Sequence, residues 1–212
     1  MKSTLLLMII LIVSTQSCKK DNSGDPATTG TFYLHAKISE VQTNVDVPLK
    51  GISTDGYSCN ARLGQDVVVH VPIQKSQSYI GSEIVHSDYK KLTFVIQFYK
   101  IRSSAEMPSN SEMVPMLSPG EKPYSVNNAT SDHWHTGIAS ILLIKDAVSY
   151  RSADSAQQAG SYFTVLSLDN LSKDETATKI IRVKFKCNMM STNVGSHSIS
   201  LEGEYRGRIV TK

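Results

Sequence analysis

From Thr31 to Val210 the apolar residues of this chain tend to recur at every second position, in short runs broken by Gly, Asn, Asp, Ser and Pro. Side chains of a strand point alternately to opposite faces, whereas a helical face repeats every 3.6 residues, so this spacing confines the chain to strands. Phe32, Leu34, Ala36 and Ile38 share one face and Tyr33, His35 and Lys37 the other, as in a strand with one packed and one solvated side. Tyr57 to Leu63 repeats the alternation with Tyr57, Cys59 and Ala61 inward. Asp66 to Val71, closed by Pro72, and Ser78 to Val85 follow as short strands. Leu92 to Ile101 is apolar on nearly both faces, which predicts a central position in a sheet.

Further strands are expected at Gly137 to Lys145, Ser161 to Asp169, Lys179 to Met189 and His197 to Val210, the last three as a meander. In its final hairpin Ile181, Val183, Phe185 and Cys187 should meet Ile199, Leu201, Gly203 and Tyr205. Arg182, Lys184 and Lys186 then face Glu202 and Glu204 on the solvated side. Between Arg102 and Asp132 lies a polar stretch carrying Pro108, Pro115, Pro119 and Pro123 with no clear period, and long connections of that kind are often functional. The predicted fold is all-β, an antiparallel β-sandwich or partly closed barrel of about eight to ten strands.

The N-terminus has a different character. Lys2 precedes an apolar run from Leu5 to Val13. That run is far short of the roughly 20 apolar residues a spanning helix needs, so it reads as the core of a cleaved secretory signal. Ser14-Thr15-Gln16-Ser17 leads into Cys18, and Lys19 to Gly30 forms a polar, turn-rich tether. The expected organisation is a signal peptide over 1–17, a modified cysteine and tether over 18–30, and one β domain over 31–212. Removing 17 of the 212 residues leaves 195, enough for a single well-buried core. The chain carries 22 basic and 19 acidic side chains. So small an excess argues against nucleic acid as a partner.

Ser14-Thr15-Gln16-Ser17-Cys18 resembles the lipobox of bacterial lipoproteins, although Thr15 stands where that pattern prefers Leu. The tether resembles those of Bacteroidota lipoproteins. The strands Gly160 to Asp169, Lys179 to Cys187 and Ser198 to Tyr205 are similar to small all-β lipoproteins of that group, a family with no established activity. The resemblance implies lipidation of Cys18, removal of the signal, and a lipid-anchored position at the bacterial outer membrane, on its periplasmic face or the cell surface. With Cys18 assigned to lipid, Cys59 and Cys187 remain. Either they form a disulfide in an oxidising envelope, or they are separate buried core thiols.

Several clusters carry potential chemistry. Asp132-His133-Trp134-His135 puts two histidines on one side of an extended chain, but a zinc site needs three or four ligands and none follows at a useful spacing. Trp134, with Tyr124, Tyr99 or Tyr150, is a candidate aromatic platform for a glycan. No Gly-x-Ser-x-Gly elbow and no phosphate-binding glycine loop occurs, and no catalytic residue, metal or cofactor is expected. The functional expectation is therefore a membrane-anchored, non-enzymatic binding or interaction module contacting a glycan or an envelope protein. A glycan-binding surface lipoprotein is the alternative reading, with a hydrolase behind it.

Overall fold

The computed structural model describes residues 30–70, 73–102, 109–127, 135–136, 138–152, 158–171, 178–192 and 197–210. Its strands are β1 (Phe32–Ile38), β2 (Val41–Val47), β3 (Tyr57–His70), β4 (Ile73–His86) and β5 (Leu92–Arg102). A short helix α1 (Asn110–Met113) and a 3-10 turn (Val114–Leu117) precede β6 (Gly120–Glu121), β7 (Val126–Asn127) and β8 (His135–Thr136). Then come β9 (Ala139–Lys145), β10 (Val148–Ser152), β11 (Tyr162–Asn170), β12 (Thr178–Ser191) and β13 (Ser198–Val210). The architecture is the all-β one expected. A single antiparallel sheet runs β2-β1-β13-β12-β10-β9-β5-β4-β3, with β11 and β6 attached beside β12, and it curls into a barrel-like form.

β5 lies between β4 and β9 as its two-sided apolar pattern requires, and Leu92 to Ile96 are all buried. The final hairpin takes the predicted register. Cys187 faces Leu201, Phe185 faces Gly203 and Val183 faces Tyr205, while Lys184 and Lys186 sit opposite Glu204 and Glu202 on the outside. Gly203 is needed because β1 passes directly over it. A Cβ there would overlap the His35 carbonyl oxygen and lie 2.6 Å from the Ala36 Cα.

Curling brings β13 face to face with β3 and β4. Phe94 of β5 stacks on Phe185 of β12 at 5.3 Å between ring centroids and lies 5.3 Å from the Tyr205 ring. Tyr205 is fully buried, and its hydroxyl shares a 2.6 Å hydrogen bond with that of Ser82 on β4. Cys59 of β3 completes the contact. Its sulfur lies 3.9 Å from the Tyr205 oxygen and accepts the Arg208 backbone N–H at 3.3 Å, a donor lying beyond the last β1 partner on β13, Arg206.

β12 organises the other side. Its N-terminal part pairs with β11 from Lys179 to Lys186, and its C-terminal end pairs with β10 from Met189 to Ser191. These two neighbours diverge and leave a wedge. Segment 109–125, read from sequence as an aperiodic connection, fills it with Met113, Leu117 and Tyr124. β6 pairs with β11, and Tyr124 forms a bridge to Ala139 of β9. At the mouth of the wedge Asn188 falls between the β11 and β10 pairings, and the Gln158 side chain bonds to its backbone, donating to the Asn188 carbonyl at 2.7 Å and accepting its N–H at 3.2 Å.

The disulfide reading is corrected: Cys59 and Cys187 are free and buried. Cys187 is in register with Leu201, whereas Cys59 meets Arg208, seven residues further along β13. At about 3.3 Å per residue this separates them by roughly 20 Å, against the about 5–6 Å between Cα atoms that a disulfide spans.

Three outcomes follow from this packing. Tyr205→Phe leaves the Ser82 hydroxyl without its partner and should cost about 1–3 kcal/mol in urea denaturation, with Gly203→Ala costing at least as much. In a Cys18→Ala chain neither remaining thiol should react with Ellman's reagent until denaturant is added, when two should react. Burial pushes the Cys187 thiol up from 9.0 to about 12, so above pH 9 an unfolded chain releases a proton that the folded chain retains. Stability is then complete below pH 9 and falls as pH rises from 9 towards 12. Cys187→Ala should flatten that decline in denaturation midpoints measured between pH 8 and 11.

Candidate functional site

The outer face of β2-β1-β13-β12-β11 is a continuous polar surface whose side chains align across the strands. One row runs Asp46, Tyr33, Arg206, Arg182, Ser167. The next runs Asn44, His35, Glu204, Lys184, Thr164, and the third runs Gln42, Lys37, Glu202, Lys186, Tyr162. Alternation creates these rows, because the residues between them fill the core. His35 stacks on Tyr33 with ring centroids 4.5 Å apart, and its Nε2 lies 3.0 Å from the Asp46 carboxylate.

The third row deepens into a cleft of about 280 Å³. Its floor is β12 and β13 around Lys186 and Glu202. One wall is the β1–β2 turn at Ser39 and Glu40, and the other is 159–161. The walls depend on local backbone geometry, since Ser39 takes φ 53° in its turn and Gly160 takes φ 76°. Four charged groups meet in the cleft as two pairs. Lys37 Nζ lies 2.7 Å from Glu40 Oε2, and Lys186 Nζ lies 3.4 Å from Glu202 Oε2. The hydrogen-bonded Glu40 carboxylate holds the Lys37 ammonium above its ordinary range. Tyr162 donates its hydroxyl to Glu202 Oε1 at 3.4 Å; partial burial, then Glu202, raise its phenol pKa. Serine hydroxyls from 161 and 200 and the Asn188 amide add neutral groups. Chemically this is a small site rich in charge-assisted donors and acceptors but balanced in charge.

The aromatic residues singled out from sequence are placed elsewhere. Tyr124 is buried against Phe163, edge to face at 5.9 Å, and its O–H points between the carbonyls of Tyr162 and Lys186, 3.1 Å from each. Burial drives its pKa far upward. Tyr99 is buried on β5 and donates to Gln97 Oε1 at 2.8 Å, and Tyr150 is also buried. These tyrosines are packing residues, with no ring face turned to solvent for a sugar. Cys18, Asp132, His133 and Trp134 lie outside the described residues. His135 belongs to β8, and among the described residues no group of three His, Cys, Asp or Glu side chains converges as a metal site.

Of the groups forming the cleft, sequence reasoning found only the Lys186–Glu202 neighbourhood, and read it as a surface ladder. Glu40 and segment 159–161 were missed because they enter from distant turns. No protein-family model, curated protein or solved structure matches this chain.

Proposed function

We propose that the chain is a lipoprotein of the bacterial outer membrane, anchored through Cys18, whose β domain is a binding or interaction module. The observation that carries this reading is the relation between the two ends of β1. The polar tether joins the domain at Gly30 and Thr31, where Arg206 donates to the Thr31 carbonyl at 2.6 Å and fixes the point of entry. The polar cleft lies at the opposite end, beyond Ile38. The seven residues of β1 span about 20 Å. An anchor at Cys18 thus reaches the domain at the end of β1 remote from the cleft.

Support for the anchor comes from the sequence. The apolar run Leu5 to Val13, the cysteine at 18 and the polar stretch after it are the features that signal cleavage and acylation use. Acyl chains supply about 0.8 kcal/mol per buried methylene, so a multiply acylated cysteine holds the domain firmly at a membrane. Growth with radiolabelled palmitate should label the wild-type protein and leave Cys18→Ala unlabelled and released from the membrane fraction. Equal label in the two proteins would remove the anchor from this reading.

A further inference from the structure

We infer that the cleft between the β1–β2 turn and segment 159–161 binds a neutral sugar residue, held by Lys37, Glu40, Lys186 and Glu202. The inference rests on the domain being a binding module and is independent of the lipid anchor.

Charge balance is the first argument. Each ammonium in the cleft already has its carboxylate, at 2.7 Å for Lys37–Glu40 and 3.4 Å for Lys186–Glu202. An anion or a cation entering the cleft meets a paired group of its own sign as well as one of the opposite sign. It gains strongly only by pulling a pair apart. A neutral polyol has no such conflict, because each hydroxyl can donate to a carboxylate and accept from an ammonium while both pairs stay closed. Hydrogen bonds to ionised partners are roughly twice as strong as neutral ones, so a few of them orient a ring.

Geometry is the second argument. The Lys186–Glu202 pair lies on the floor and the Lys37–Glu40 pair beside the β1–β2 wall, with Ser161 and Ser200 also lining the cleft. A ring with hydroxyls along its rim presents several donors and acceptors to such a set of groups. The volume of about 280 Å³ lies just below the roughly 300–1,000 Å³ range of ligand sites, which suits one or two rings and no larger group. The low walls at Ala159 and Gly160, both exposed, leave room for a sugar that continues as part of a longer chain. Tyr162, already bonded to Glu202, keeps that carboxylate oriented across the floor.

The test is calorimetric titration of the full-length protein in a sugar-free zwitterionic detergent with glucose, galactose, mannose and N-acetylglucosamine. Glucuronate and inorganic phosphate serve as charged probes. Saturable binding of at least one neutral sugar is expected. Glu202→Gln and Lys186→Met should each weaken it by about tenfold or more, the effect of losing one charge-assisted hydrogen bond. Ala159→Trp, at an exposed wall position, should block the same titration with an unchanged melting temperature. Failure of every neutral sugar to saturate overturns the inference, as does binding that all three variants leave intact. Saturation by glucuronate or phosphate alone also overturns it, while leaving the binding module in place.

Discussion

The hydroxyl of Tyr205 is the point on which the barrel closes. A strand near one end of a long sheet has no obligation to meet the strands at the other end, and hydrophobic contact alone does not choose a register for the meeting. Tyr205 chooses one. Its ring fills the space above Gly207, which has no Cβ to obstruct it, and its buried oxygen needs a partner at one height on the opposing strands. Ser82 provides that partner, and the Cys59 sulfur takes up the neighbouring Arg208 N–H. A slip of β13 by a single residue would turn Tyr205 outward and bring Arg206 inward, so a small network enforces the whole alternation.

Closure on one side creates a difficulty on the other, because β12, paired with β13 along one edge, cannot keep one continuous neighbour along the opposite edge of its 14 residues. β11 leaves it after Lys186 and β10 joins it only at Met189. The backbone groups between would be stranded at the surface of the core. Two polar side chains resolve this: Gln158 satisfies Asn188, and Tyr124 reaches across the wedge to the carbonyls of Tyr162 and Lys186. The proline-bearing segment before Tyr124 is thus a structural plug. Its prolines suit a path that forms few ladder bonds, and Pro123 still accepts the N–H groups of Ile138 and Ala139 through its carbonyl.

Much of the fold was legible from alternation alone, including the central place of β5 and the register of the β12–β13 hairpin. Two of the strands that escaped share a cause: turns built without glycine. β2 and β10 follow tight turns in which Ser39, Asp146 and Ala147 adopt φ of 53°, 51° and 65°, positions normally signalled by Gly or Asn. With no glycine there, the sequence offers no punctuation. The reverse error occurs around Gly64, where Tyr57 to Leu63 and Asp66 to Val71 are expected as separate strands, although β3 runs unbroken from Tyr57 to His70. Its cross-strand partner Tyr79 lies over the glycine and replaces the missing side chain. One signal was present and unread: at the start of α1 the Glu112 carboxylate folds back onto Ser109, accepting its N–H at 2.9 Å and its hydroxyl at 3.2 Å. Tyr99 and Tyr124 failed as platform residues for another reason, since residue type does not say which way a ring faces.

The cleft was not legible because its charged groups converge from separate stretches of chain, and only the folded sheet makes them neighbours. Its construction separates rigidity from variation. The floor belongs to the β12–β13 ladder, paired without interruption from Thr178 to Met190 and backed by Phe185 and Leu201 in the core. The walls are a hairpin turn and the exposed residues before β11, which contribute little to that core. Substitution in the walls alters what the cleft can hold while the closure at Tyr205, farther along β13, stays intact. A site on such a floor keeps its polar groups at fixed spacing, which is the condition for several weak hydrogen bonds to act on one ligand together.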